Sequence, residues 1–446
     1  MINDNKRYDL GDLGKNSGKA GSRLKFLQKL FVTLCLFAVI GGLILVGALI
    51  GRSVAGSDSS SEALGVATII GVIETPTPTV PYTVTEYLTD SENAVNMWGE
   101  LEEAENPVPC THMNVHGIYI GAAANLSDNI ALAQSSEINS FVIDLKEKNG
   151  VLYDTSNEIA LASGTAYGAY NLSQVCQTCH DNGIYVIGRI VCFKDPTLAS
   201  YDPSRAISDS AGQTLLFTSE DYSSFLNPYD SDNWDYLIDL AVEAIGMGVD
   251  EIQFDYVRFP TGDTSTGNSP YFGIEGQVPE KYEAINRFIR TARVRIQDTY
   301  GIPVSCDVFG ITVTSSLDGK NLGQDWSTIG LAGEDSVCPM IYPSHYALGT
   351  ILQGVTYDKP DMYPYEVMLS ALQTGSDAWH QEGYCTVRPY VQSFTATYIG
   401  EDNYLDYGYE QINAQIKAIQ DAGLDEYILW NASASYPQGN YGGNNG

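Results

Sequence analysis

Positive charge is scarce in this sequence: 23 Lys and Arg stand against 55 Asp and Glu, a net charge of -32. A surface of that sign repels nucleic acid and anionic lipid, so a polyanion is not the expected partner. Histidine is scarce too. The five residues His112, His116, His180, His345 and His380 form no His-x-His or His-Glu-x-x-His pair, which argues against a zinc hydrolase. A Gly-x-Ser-x-Gly elbow and a glycine-rich phosphate loop are both missing, which argues against a serine hydrolase and a nucleotide enzyme. No metal and no cofactor is expected.

What is present begins with an apolar run from Leu30 to Gly51, about the length that crosses a bilayer as a helix. Lys6, Arg7, Lys15, Lys19, Arg23, Lys25 and Lys29 precede it, and after Arg52 no cation occurs until Lys146. That asymmetry predicts a single-pass signal anchor in the cell membrane, with residues 1–29 as a basic cytoplasmic tail and the rest outside. Cleavage at Ser53-Val54-Ala55 is the competing reading, but a cleaved signal has a shorter apolar core of roughly 7–15 residues. Residues 52–112 are rich in Ser, Thr and Pro, including Thr75-Pro-Thr-Pro-Thr-Val-Pro81, and read as an extended stalk.

Of eight cysteines, Cys35 lies in the apolar run and seven follow it. An odd number cannot all pair, and most sit in apolar strand-like stretches, so no disulfide framework is expected. Cys176-Gln-Thr-Cys179-His180 matches a haem-attachment pattern. Leu172, Val175 and Cys179 fall on one helical face, however, and a haem there would displace the helix from its neighbours.

From His116 onward, short apolar strands alternate with amphipathic stretches such as Trp234–Ile245, Tyr282–Gln297 and Tyr409–Ala422. The strands are His116–Gly121, Ser140–Leu145, Gly183–Phe193, Val249–Tyr256, Pro303–Phe309, Ser336–Tyr342, Cys385–Gln392 and Glu426–Asn431. Eight strands alternating with helices predict an α/β fold, a (β/α)8 TIM barrel over residues 113–438, with 439–446 as a flexible tail. A doubly wound open sheet is the alternative. In Glu251–Asp255 the residues Glu251, Gln253 and Asp255 share one face, which is therefore polar where a buried strand should be apolar.

Barrel enzymes carry their chemistry at the C-terminal ends of the strands. Those ends supply Asp144, Lys146, Arg189, Lys194, Asp195, Asp255, Arg258, Asp307, Tyr342, His345, Arg388, Gln392, Trp430 and Asn431. Singly, each reads as a loop-capping group. Together they point to a binding site, because so many polar groups on one rim are costly unless they bind something. Asp255 and Asp307 come from adjacent strands and form the natural catalytic pair for glycoside hydrolysis, which uses two carboxyl groups. Asp144, Lys146, Arg189, Lys194, Arg258, Tyr342, His345, Gln392, Trp430 and Asn431 are the expected substrate-binding residues. The 30 tyrosines supply flat faces with polar edges suited to sugar rings.

The stretches VIDLKEKNG (142–150), IVCFKDPTLA (190–199), NPYD (227–230), DEIQFDYVRFP (250–260), DVFGIT (307–312), PMIYPSHY (339–346), RPYVQSF (388–394) and ILWNAS (428–433) resemble a glycoside hydrolase family of bacterial membrane-anchored or secreted TIM-barrel domains. The resemblance spans about residues 116–436. It implies a carbohydrate substrate, with Asp255 as nucleophile or base and Asp307 as acid, similar to the strand-4 and strand-5 carboxylates of alpha-amylase-like enzymes. Cys306 and Cys338 stand where small residues are usual and Tyr390 where Trp is common. The sequence thus predicts a tethered extracellular enzyme acting on a cell-wall or matrix polysaccharide, with a non-catalytic carbohydrate-binding barrel as the alternative.

Overall fold

All eight predicted strands form, and they close into a parallel barrel. Its staves are β1 (His116–Gly121), β2 (Ser140–Glu147), β5 (Tyr185–Val191), β6 (Glu251–Asp255), β7 (Val304–Phe309), β8 (Ser336–Met340), the pair β11 (Thr386–Val387) and β12 (Tyr390–Gln392), and β13 (Tyr427–Trp430). Each pairs in parallel with the next, and β1 pairs with both β2 and β13, which closes the ring. The seventh stave is split at Pro389, which has no N–H to give to a ladder. The computed structural model describes residues 88–101 and 103–443. The predicted Leu30–Gly51 span and most of the stalk lie outside the described residues. Among the described residues no helix is long and apolar enough to cross a membrane.

Helices pack outside the ring: α1 (Glu92–Trp98), α2 (Leu126–Ala133), α3 (Leu172–Asp181), α4 (Ser231–Gly246), α5 (Lys281–Ala292), α6 (Ser316–Leu322), α7 (Pro364–Trp379) and α8 (Tyr409–Asp421). Helix α4 starts at Asp230, whose side chain accepts from Asp232 N, and buries Trp234, Leu237, Ile238 and Ala241 at three- and four-residue spacing. Phe288 of α5 lies edge-on to Phe193 and Phe254 in this outer core. Truncating it to Ala would cost about 3–5 kcal/mol. Helix α3 buries Cys176 and Cys179, so the two thiols of the Cys-x-x-Cys-His run are core packing, while its exposed His180 pairs with Asp250 at 2.8 Å. All seven cysteines after residue 52 are free thiols.

Three features depart from the sequence reading. Extra strands form among the described residues: β3 (Gly150–Tyr153) and β4 (Ala166–Tyr170) extend β2 beyond the barrel, and β9 (Thr350–Leu352) and β10 (Val355–Tyr357) pair as a separate antiparallel hairpin. At Gly150, φ is +147° and a Cβ would sit 2.1 Å from Thr165 O, so only glycine fits. The end of the predicted stalk is folded onto the barrel: Trp98 stacks on Tyr229, and Asp90 pairs with Arg287 and Arg290. Much of the predicted flexible tail is also packed, with Tyr441 fully buried and its carbonyl accepting from the Tyr427 hydroxyl at 2.6 Å.

The polar face of Glu251–Asp255 points along the barrel axis. At the floor, Glu251 accepts from Arg388 Nη1 and Ser305 Oγ, both at 2.6 Å, and Arg388 Nε donates to Glu426. His112 closes this end, bonded to Glu426 at 2.5 Å and Asp335 at 2.8 Å. One layer up, Gln253 accepts from the Tyr390 hydroxyl at 2.7 Å. Asp255 forms the top layer.

Candidate active site

The top layer is organised by Arg189 of β5. Its Nε and Nη2 both donate to Asp255 Oδ2, at 3.0 and 2.6 Å, while Nη1 donates to Asp144 and, at 2.7 Å, to Glu147. Asp307 Oδ2 lies 4.0 Å from the same Nε. The other Asp255 oxygen accepts from Tyr256 N at 2.5 Å. Among the described residues, neither the buried Asp307 Oδ1 nor the buried Tyr342 hydroxyl has a hydrogen-bond partner. Burial, then the negative charge of Asp255, pushes the Asp307 carboxyl well above the usual carboxylate range, against the opposing pull of Arg189 and Arg388. Burial and the charges of Asp307 and Asp255 likewise push the Tyr342 phenol up.

Above this layer opens a cavity of about 450 Å³, whose walls include Tyr119, Asp144, Glu147, Arg189, Tyr256 and Trp430. Tyr119 stacks on Trp430 at 6.0 Å, and its hydroxyl donates to Asp144 at 2.5 Å. Burial raises the Asp144 carboxyl, with Arg189 opposing and Glu147 adding to the rise. Asp255 and Asp307, 5% and 1% exposed, lie beneath Arg189 rather than on the cavity wall.

The expected site residues therefore divide. Asp144, Arg189, Asp255, Asp307, Tyr342 and Trp430 come together at the mouth. His345 is exposed and edge-on to Tyr342 at 4.9 Å. Five others have protein partners instead of a free reach into the cavity. Lys146 is wholly buried behind its strand, 2.9 Å from Asp195 and donating to Val191 O at 2.7 Å. The cause is a register shift between Asp144 and Lys146, which breaks the period-two alternation that put both on one face. Lys194 and Arg258 are both bound to buried Glu220, at 2.9 and 2.8 Å. Gln392 accepts from Ser344 N and donates to Asp361. Asn431 donates to Ser393 O and Ser435 O, tying its own loop.

Sequence reasoning missed Glu147, Tyr119 and Glu220. Glu147 is two positions past the strand end as predicted, so only the bulge brings it to Arg189. Tyr119 sits two residues before the first strand's end, a position visible in the sequence. Glu220 lies in a long polar loop with no periodicity to single it out.

Residues 113–436 match a family model described as "Putative glycosyl hydrolase domain". Among solved structures, a hypothetical protein from Ruminiclostridium thermocellum is 38% identical, over 43% of this chain and 97% of its own, with a TM-score of 0.38. The glycoside hydrolase domain of PgaB (BpsB) from Bordetella bronchiseptica is 10% identical, over 72% and 95%, with a TM-score of 0.49. An alpha-galactosidase from Thermus thermophilus is 11% identical, over 73% and 59%, with a TM-score of 0.44. No curated protein matches the sequence. The chain belongs to the family described as "Putative glycosyl hydrolase domain", whose model spans its barrel.

Proposed function

We propose that the barrel is a polysaccharide-cleaving glycoside hydrolase in which Asp255 is nucleophile or base and Asp307 is the acid. The observation that carries this reading is the unequal pairing of the two carboxyl groups. Asp255 accepts three hydrogen bonds, the acceptor-only pattern of a carboxylate. Asp307 has an unpartnered oxygen and a raised carboxyl beside that charge, which favours the neutral acid. Environments that drive two carboxyl groups apart separate acid from base. Glycosidic cleavage needs both, one to protonate the leaving oxygen and one to attack or activate water.

Arg189 covers the pair. A sugar that reaches Asp255 takes the place of Nε and Nη2, while Nη1 stays on Asp144 and Glu147. The aromatic pair Tyr119 and Trp430 suits a sugar ring beside that charge. The apolar run Leu30–Gly51 and the seven cations before it support a membrane tether with the barrel outside, within reach of a cell-wall or matrix glycan.

One observation favours carbohydrate binding without turnover: the depth of Asp255 and Asp307 under Arg189. Reducing-end release by the full chain from a polysaccharide panel separates the readings. Hydrolysis predicts release that Asp255→Asn and Asp307→Asn abolish; wild-type binding without release would leave a binding barrel.

A further inference from the structure

We propose that Tyr256 is a sugar-stacking residue of the cavity, its ring backed by Lys194 and Arg258. The proposal rests on the carbohydrate reading above. Tyr256 directly follows Asp255, so continued strand geometry would turn its ring to the opposite face, away from the barrel axis. Its φ is instead +53°, a left-handed conformation that is unfavourable for a residue bearing a side chain. That turn lets the tyrosine line the cavity while its N–H caps Asp255 at 2.5 Å. Glycine would adopt the same backbone without strain and could give the same N–H. What tyrosine adds is the ring, and strain held at a cavity wall is the pattern of a binding position.

The ring is fixed from behind. Arg258 Cζ lies 5.0 Å and Lys194 Nζ 5.5 Å from its centroid, within the range of cation–π attraction. Both cations are buried and held by Glu220, which also accepts from Thr261 N and Oγ1. Among the described residues the Tyr256 hydroxyl has no hydrogen bond to protein, unlike that of Tyr119, which is held by Asp144. Tyr256, Tyr119 and Trp430 thus give the cavity aromatic surface on more than one strand end, around the Arg189 guanidinium. That combination suits a pyranose ring, with apolar C–H faces and a polar rim.

The test applies the full chain in detergent to a microarray of neutral, amino and uronic oligosaccharides. The strongest wild-type binder is then titrated against Tyr256→Phe, Tyr256→Gly and Tyr256→Asn, the last two both tolerating a positive φ. Melting curves confirm which variants are folded, and either Gly or Asn suffices. The expected result is binding within threefold of wild type for Phe and at least tenfold weaker for Gly or Asn. Binding within threefold for a folded Gly or Asn variant would overturn the stacking role and leave the carbohydrate reading standing. An equal loss in Phe would assign the effect to the hydroxyl and overturn stacking as well. A wild type that binds nothing on the array would remove both readings.

Discussion

Arg189 and Asp255 face each other from neighbouring strands, with two guanidinium nitrogens on the single oxygen Oδ2 at 3.0 and 2.6 Å. The nearer Asp307 oxygen lies 4.0 Å from the same Nε. The two carboxylate oxygens can then be no farther apart than the sum of their Nε distances, about 7 Å. Retaining glycosidases have carboxyl groups about 5–5.5 Å apart, and inverting ones about 6.5–9.5 Å to admit a water. That bound takes in the whole retaining spacing and only the lower edge of the inverting one, so the outcome predicted here is retention of anomeric configuration, with Asp255 attacking carbon directly. Proton NMR of the first-formed product reads the anomer before mutarotation, and an inverted product would contradict the assignment.

Glu220 is the shared carboxylate partner of two buried cations, Lys194 and Arg258. Removing it in Glu220→Ala leaves both uncompensated and should cost about 3–5 kcal/mol, read by urea denaturation. Burial opposes its ionisation, but the hydrogen bonds and charge of Arg258, with Lys194, lower its carboxyl to about 2. A depressed carboxyl stabilises the fold fully above the unfolded value near 4.5 and loses that contribution as pH falls through 2. The stability difference between wild type and Glu220→Gln should accordingly shrink across that window. A difference that stays constant from pH 5 to pH 2 would show that the charge is not what Glu220 contributes.

At the opposite end of the barrel the sign is reversed. Burial disfavours the His112 imidazolium, but hydrogen bonds to Asp335 and Glu426 outweigh it and raise the group to about 10. A raised histidine contributes stability that is complete below the unfolded value near 6.5 and is lost as pH rises through 10. The melting temperature of wild type relative to His112→Gln should fall between pH 7 and pH 10. Parallel curves for the two proteins would refute the latch between residue 112 and the barrel floor.

The barrel was legible because each stave is a short apolar run and the helices between them repeat every three to four residues. Asp255 and Asp307 were legible for the same reason, since a strand end fixes where its last inward residue points. Lys146 was misread because a bulge is set by pairing with a neighbouring strand, which the local pattern does not record. Lys194 and Arg258 were misread because their partner, Glu220, comes from a loop without periodicity. The helix Glu92–Trp98 was hidden in the same way: its few apolar residues gain weight only from Tyr229 and Trp234 of the barrel.

The division of labour between Asp255 and Asp307 is tested most directly by changing the leaving group. A 2,4-dinitrophenyl glycoside departs without protonation, whereas an unactivated glycoside needs the acid, a contribution of roughly 10²–10⁴ in rate. Asp307→Asn should lose kcat/KM by about a thousandfold on the unactivated substrate and less than tenfold on the dinitrophenyl one. Asp255→Asn should lose both. Equal losses on the two substrates in Asp307→Asn, or turnover preserved in Asp255→Asn, would contradict the assignment.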